Sequence, residues 1–308
     1  MKVAVERNCC NYLYDERLAP LLIPTFEKLA NEAGLTSLDY FVIADTDVVN
    51  YCESVKKYAS ILDTEASVTQ DGNYFTTGKT ISGVDEDGKL HQAIVIKSGI
   101  WEMAAIEYAQ LHELLPKEVI ENPEVSIGAV SLILHEFGHA IDEENRFSIS
   151  GTKNKKTQYD LSHEFDEYIR QTALSLWGEY FAESFACKND FTLRSIAVTN
   201  TNNLLDCIKS YSLGTDFNSQ LERVYRILYY FMFVLAESHQ QSTSKIVSVY
   251  EDMKQDPIVA EYISLFMRAE RAINGLRQDY PKWDSYDRTN DYELVIKDLL
   301  QFERRRQW

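Results

Sequence analysis

His135, Glu136 and His139 are the side chains of this 308-residue chain whose types and spacing most directly predict chemistry. They stand in the string His135-Glu136-Phe137-Gly138-His139, and the apolar run from Ile127 to Leu134 before it predicts a helix. Four residues at 3.6 per turn leave the two imidazoles about 40° apart around the axis and roughly 6 Å apart along it, so both reach one metal ion. Glu136 lies about 100° from His135, too far round to share the ion easily but placed to bond a water held there and to act as a general base. Ile127, Val130, Leu134, Phe137 and Ile141 fall on a separate stripe, which predicts the buried face of the same helix.

Two imidazoles leave a catalytic zinc site one protein ligand short, because such sites hold three and keep a further position open for water. No third histidine follows closely in sequence, and Asp142, on the histidine face, is as readily a surface charge as a member of the site. Forty residues beyond His139, Glu179-Tyr180-Phe181-Ala182-Glu183-Ser184-Phe185-Ala186 predicts a second apolar helix with two carboxylates one turn apart. Laid against the first helix, it has one carboxylate to give to the ion and one to give to a ligand imidazole, fixing that ring's orientation and tautomer.

The pairing of HEFGHAID (135–142) with EYFAESFA (179–186) resembles the paired motif of the gluzincin metallopeptidases. The wording is most similar to the lethal-factor and Pro-Pro endopeptidase group, with the ImmA/IrrE-like peptidases as a second match. The resemblance covers roughly residues 125 to 190. It implies zinc ligation by His135, His139 and Glu179, catalysis by Glu136, and a bond from Glu183 to a ligand histidine. The implied activity is an endopeptidase in which Glu136 assists attack of zinc-bound water on a peptide bond of a specific protein. The group carries an oxyanion-supporting tyrosine seven residues before the glutamate ligand, where this chain has Thr172. Tyr168, one turn earlier, is the expected substitute if the loop is longer, with His163 and His239 as other candidates.

The elements that must hold these residues can be read around them. Leu18, Leu21, Leu22, Phe26 and Leu29 predict a helix over 17–33, and strands are expected at 40–44, 73–82 and 92–100. Asp85-Glu86-Asp87-Gly88 has turn chemistry, so the last two strands are expected to form a hairpin, and 92–100 resembles the zincin edge strand that pairs with substrate. Asn122, Pro123 and Glu124 suit a helix start, and that helix should run to about Glu144; 150–159 reads as a loop. Further helices are expected near 162–190, 217–240, 257–279 and 290–305. The expected fold is α+β: a zincin-like catalytic core with a small N-terminal antiparallel sheet, the metal helix and a mainly helical C-terminal half. Its segments are an N-terminal α+β part over 1–120, a zinc-binding core over 121–190 and a helical subdomain over 191–308.

Composition bounds the partners. Thirty-one basic against forty-eight acidic side chains give a net charge of -17, which disfavours nucleic acid and favours cationic partners, while a protein or peptide substrate is what the resemblance implies. Five cysteines without a CxxC pair predict free thiols. MKVAVERNCC places Glu6 and Arg7 where a signal peptide needs its apolar run, and the longest uncharged apolar stretch, Ile227 to Ala236, is too short for a membrane span. A cytoplasmic protein is expected, with leaderless export as the alternative, and the sequence does not set the oligomeric state. A competing function is a non-catalytic zinc-held scaffold or sensor whose helical C-terminal half binds a protein partner. In that case the stripe Leu221, Val224, Leu228, Phe231 and Leu235 would be partly exposed rather than core.

Overall fold

The computed structural model describes residues 1–6, 15–66, 70–71, 74–75, 77–112, 128–150, 164–190, 197–210, 217–241, 243–283 and 286–306. Its contacts divide the chain into two units, Met1–Lys153 with Lys188–Ser195, and Asn154–Cys187 with Ile196–Trp308. The fold is α+β, predominantly helical, with its four-stranded sheet in the first unit.

In that unit the order is β1 (Lys2–Val5), α1 (Asp15–Glu32), β2 (Leu38–Ala44), α2 (Val48–Ile61), a two-residue ladder of β3 (Gln70–Asp71) with β4 (Tyr74–Phe75), β5 (Gly78–Val84), β6 (Leu90–Lys97), α3 (Ser98–Leu111) and α4 (Ala129–Ser150). The sheet runs β1-β2-β6-β5 and is mixed, which corrects the expected antiparallel arrangement. β1 pairs with β2 and β2 with β6 in parallel, and only β5 with β6 is antiparallel. Helical crossovers, α1 between the first pair and α2 within the second, return the chain to the same strand direction. The expected hairpin is present: Asp85 N–H bonds the Lys89 carbonyl and Gly88 takes a φ of +78°, which its missing Cβ permits.

A second correction concerns which strand is the edge. The segment expected along a cleft, 92–100, ends as strand at Lys97, and β6 lies inside the sheet with Ala93, Ile94, Val95 and Ile96 fully buried. The edge is β5, whose only partner among the described residues is β6.

The metal helix is α4, and its apolar face is fixed by aromatic packing. Phe137 stacks on Phe26 of α1 at 5.5 Å and on Phe41 of β2 at 5.8 Å, and Trp101 of α3 tilts onto the latter two rings. Val130, Leu134, Phe137 and Ile141 are all buried, as the stripe predicts; Ile127 and the expected start at Asn122, Pro123 and Glu124 lie outside the described residues. The helix N-terminus is closed by Glu107 of α3, itself buried, whose carboxylate accepts from the N–H groups of Gly128, Ala129 and Val130. Three otherwise orphaned donors are thereby satisfied by one negative charge at the positive end of the helix.

Near its other end α4 is tied to the start of β2. Glu144 accepts from the backbone N–H and the hydroxyl of both Thr36 and Ser37, at 2.6 to 3.2 Å. Burial alone would raise the Glu144 carboxyl, but these donors from Ser37 and Thr36 outweigh it and hold it below its ordinary value of 4.5. A carboxylate with a depressed folded pKa contributes stability that is present above the unfolded value and lost as pH falls through the folded one. Glu144→Gln is therefore expected to cost about 1–2 kcal/mol at pH 7, allowing for the partial exposure of the site. Urea denaturation should show this deficit shrinking below pH 4.5.

The second unit contains α5 (Glu164–Asn189, to Cys187), α6 (Ala197–Lys209), α7 (Phe217–Gln241), α8 (Thr243–Lys254), α9 (Pro257–Ala260), α10 (Ile263–Asp279), a 3-10 turn at Tyr286–Thr289 and α11 (Asn290–Arg306). The helix expected over 257–279 is split at Glu261 and Tyr262. Val224, Leu228, Phe231 and Leu235 of α7 are fully buried, and Phe231 stacks on Phe266 at 4.3 Å. Four of the five stripe residues are thus core, and Leu221 is half-buried. Arg223 links this core to the end of α6, donating to Glu303 at 2.6 Å and to the carbonyl oxygens of Cys207 and Ile208. Cys52, Cys187 and Cys207 are free thiols, and no described helix is long and apolar enough to cross a membrane.

Candidate metal centre

His135 and His139 project from α4 with ring centroids 4.6 Å apart and planes at 86°, the proximity that i, i+4 spacing dictates. Glu136 between them faces the edge strand. Thr80 of β5 brings its hydroxyl to 2.8 Å from Glu136 Oε2 and 2.9 Å from the Glu136 carbonyl oxygen. Two residues back along β5, on the same strand face, Gly78 leaves room for this side chain, since a Cβ there would stand 2.7 Å from Glu136 Cγ. β5 and α4 therefore meet through Glu136 itself, a contact that no motif in the sequence announces.

Glu179 and Glu183 lie on α5, which is continuous from Glu164 to Asn189 and carries Trp177 and Tyr180 in its buried face. One ligand atom from each of His135, His139 and Glu179 falls within 4.8 Å of the others, the one group among the described residues that could hold a metal ion. For comparison, ligands about 2.0–2.2 Å from a tetrahedral ion stand roughly 3.4 Å apart. Two imidazoles and a carboxylate are ligands that several first-row divalent ions accept, zinc among them. No family model, curated protein or solved structure matches this chain.

Glu183, one turn beyond Glu179, is only 4% exposed and accepts from the Cys187 thiol at 3.6 Å, so it is not a solvated surface glutamate. Asp142 is fully buried rather than a surface charge, and pairs with Arg146 at 2.8 Å.

Tyr168 does not fit the role of oxyanion donor at this ion. The loop that would have folded it back does not exist: it sits on the same continuous helix as Glu179, eleven residues earlier, about 16 Å away along the axis. Its side chain is 45% exposed. His163 lies outside the described residues. His239 shares a 2.8 Å hydrogen bond with Tyr180, and burial, helped by the Arg277 guanidinium, pushes it down to about 4, so its ring is neutral at physiological pH.

Two further tyrosines lie within reach of the charge of Glu179. Tyr225 and Tyr229 of α7 are one turn apart, and both phenols are pushed up first by burial and then by the charge of Glu179, Tyr225 to about 12. The Tyr225 hydroxyl is also 3.2 Å from Ser175 Oγ, one turn before Glu179. Both remain protonated donors at neutral pH. Among 19 tyrosines no sequence signal separates these two, since their relation to Glu179 is made by the packing of α7 in the second unit.

Proposed function

We propose that this protein is a zinc-dependent endopeptidase of the gluzincin type, built on a zincin-like core. The observation that carries the proposal is the grouping of His135, His139 and Glu179 ligand atoms within 4.8 Å of one another, with Glu136 next to His135 on the same helix. Among the described residues the group has three members, the number that a catalytic zinc site holds, whereas a structural site is closed by four. When bound, zinc supplies Lewis acidity, polarising a carbonyl and bringing the pKa of water towards neutrality.

The chain's own residues have the following parts. His135, His139 and Glu179 hold the ion, and Glu183 orients a ligand imidazole. Glu136 takes a proton from the attacking water and returns it to the leaving amine, general base and then general acid. Tyr225, kept protonated, donates to the oxygen on which charge develops, in place of Tyr168. β5 has one unpaired side among the described residues and lies against the helix that bears Glu136, so an extended substrate backbone adds to it as a further strand. Strand addition uses main-chain bonds common to all peptides, so selection falls to side-chain pockets, and we infer a narrow set of protein substrates in the cytoplasm. The scaffold reading would have the α7 stripe partly exposed, whereas Val224, Leu228, Phe231 and Leu235 are buried and Leu221 alone is half-buried.

The test is to incubate a proteome with the wild type and with Glu136→Gln, then read new peptide termini by mass spectrometry. Termini created by the wild type alone are the expected result. Identical termini in both samples would remove the endopeptidase proposal.

A further inference from the structure

Thr80 makes the one side-chain contact from the edge strand to the carboxylate of Glu136 that the described structure records, at 2.8 Å from Oε2. Its hydroxyl has a single proton and two acceptors in reach, the carboxylate and the Glu136 carbonyl oxygen at 2.9 Å. The carbonyl belongs to the interior of α4, where the helix's own amide four residues on serves it. The carboxylate has no such built-in donor and, being charged, is the stronger acceptor. The hydroxyl proton therefore goes to Oε2.

The strand leaves that carboxylate little choice of position. Gly78 and Thr80 share one face of β5, and at Gly78 a Cβ would meet both Glu136 Cγ at 2.7 Å and Ile96 Cδ1 at 2.7 Å. The backbone of β5 thus walls one side of the Glu136 stem while Thr80 holds its tip. Both groups lie in the same compact unit as α4.

We propose that Thr80 is the positioning residue of the general base: by occupying Oε2 it leaves Oε1 as the oxygen that takes up and releases the proton. The inference rests on the reading of Glu136 as base. A base with a free carboxyl rotor divides its time among orientations that cannot reach the water; one with a pinned oxygen does not. Water protons then pass to Oε1 and from Oε1 to the departing amine, with Thr80 donating to Oε2 throughout and gaining or losing nothing itself.

Thr80→Val keeps the shape of the side chain and removes the hydroxyl, whereas Thr80→Ser keeps the hydroxyl. On a peptide cleaved by the wild type, Thr80→Val is expected to lower kcat roughly ten- to a hundredfold, the factor that a hydrogen bond to a charged acceptor is worth, with KM and zinc content unchanged. Thr80→Ser should restore most of it. In a Glu136→Gln background the same two replacements should change nothing further, because the oriented group is gone. Full kcat in Thr80→Val alongside an inactive Glu136→Gln overturns the positioning role alone; full turnover in Glu136→Gln overturns the base itself. A crystal structure of Thr80→Val reads the geometry without any substrate: a displaced or multiply placed Glu136 carboxylate is expected, and one that has not moved overturns the inference.

Discussion

Apoprotein titrated with zinc at neutral pH is expected to bind one equivalent per chain, and His135→Ala, His139→Ala and Glu179→Gln should each weaken that binding by about 10²–10³-fold. The size follows from the free energy of zinc capture. Roughly 10–16 kcal/mol shared among four ligands is about 2.5–4 kcal/mol each, and every 1.4 kcal/mol is a factor of ten. Calorimetry or competition with a chromophoric chelator reads it directly. The Glu179 variant is the decisive member of the series, since two imidazoles one turn apart bind zinc weakly on any helix. Unchanged affinity in Glu179→Gln would leave the second carboxylate helix without a place at the ion.

Glu136→Gln is expected to keep the metal and lose the reaction. An amide is nearly the same size as a carboxylate and can still accept from Thr80 Oγ, so the packing around Gly78 has no reason to change. What disappears is the capacity to take a proton, and general acid–base catalysis supplies typically 10²–10⁴-fold. Turnover of an identified peptide should fall by about that factor while zinc stoichiometry and the thermal midpoint stay at wild-type values. A variant that lost zinc as well would make Glu136 a ligand and would require a different mechanism.

The parts of this site that sequence displays are those made within one helix. His135, Glu136 and His139 are legible because their spacing alone sets their directions, and the stripe through Val130, Leu134, Phe137 and Ile141 is legible for the same reason. Glu179 and Glu183 stand one turn apart for the same local cause, although only packing decides what they meet. Contacts across long separations leave no periodic trace. Thr80 and Glu136 are 56 residues apart, Glu107 and Gly128 are 21 apart, and nothing in either pair's local sequence predicts the other. The sheet illustrates the same limit. β1 is a four-residue strand whose parallel partner begins 36 residues later, so its pairing is set by the crossover through α1 and not by any hairpin signal. β6 was expected at an edge by its resemblance to the zincin substrate strand, yet its run Ala93-Ile94-Val95-Ile96 is apolar throughout, the pattern of a strand covered on both faces. Helices α6 and α8 leave a weaker trace in the sequence because Asn and Thr in AVTNTNNLLDCIK and the β-branched residues and Ser of TSKIVSVYEDMK lower local helix preference, which tertiary burial then overrides.

The closing of the α4 N-terminus by Glu107 bears on how this chemistry can be carried from one protein to another. Residues 125 to 190 contain every motif that suggests catalysis, but not the carboxylate that receives the first amides of the histidine helix. Excised or grafted onto another scaffold, that stretch would begin with three dangling donors facing an apolar interior. The minimal transferable piece is therefore longer than its signature and has to include the helix upstream.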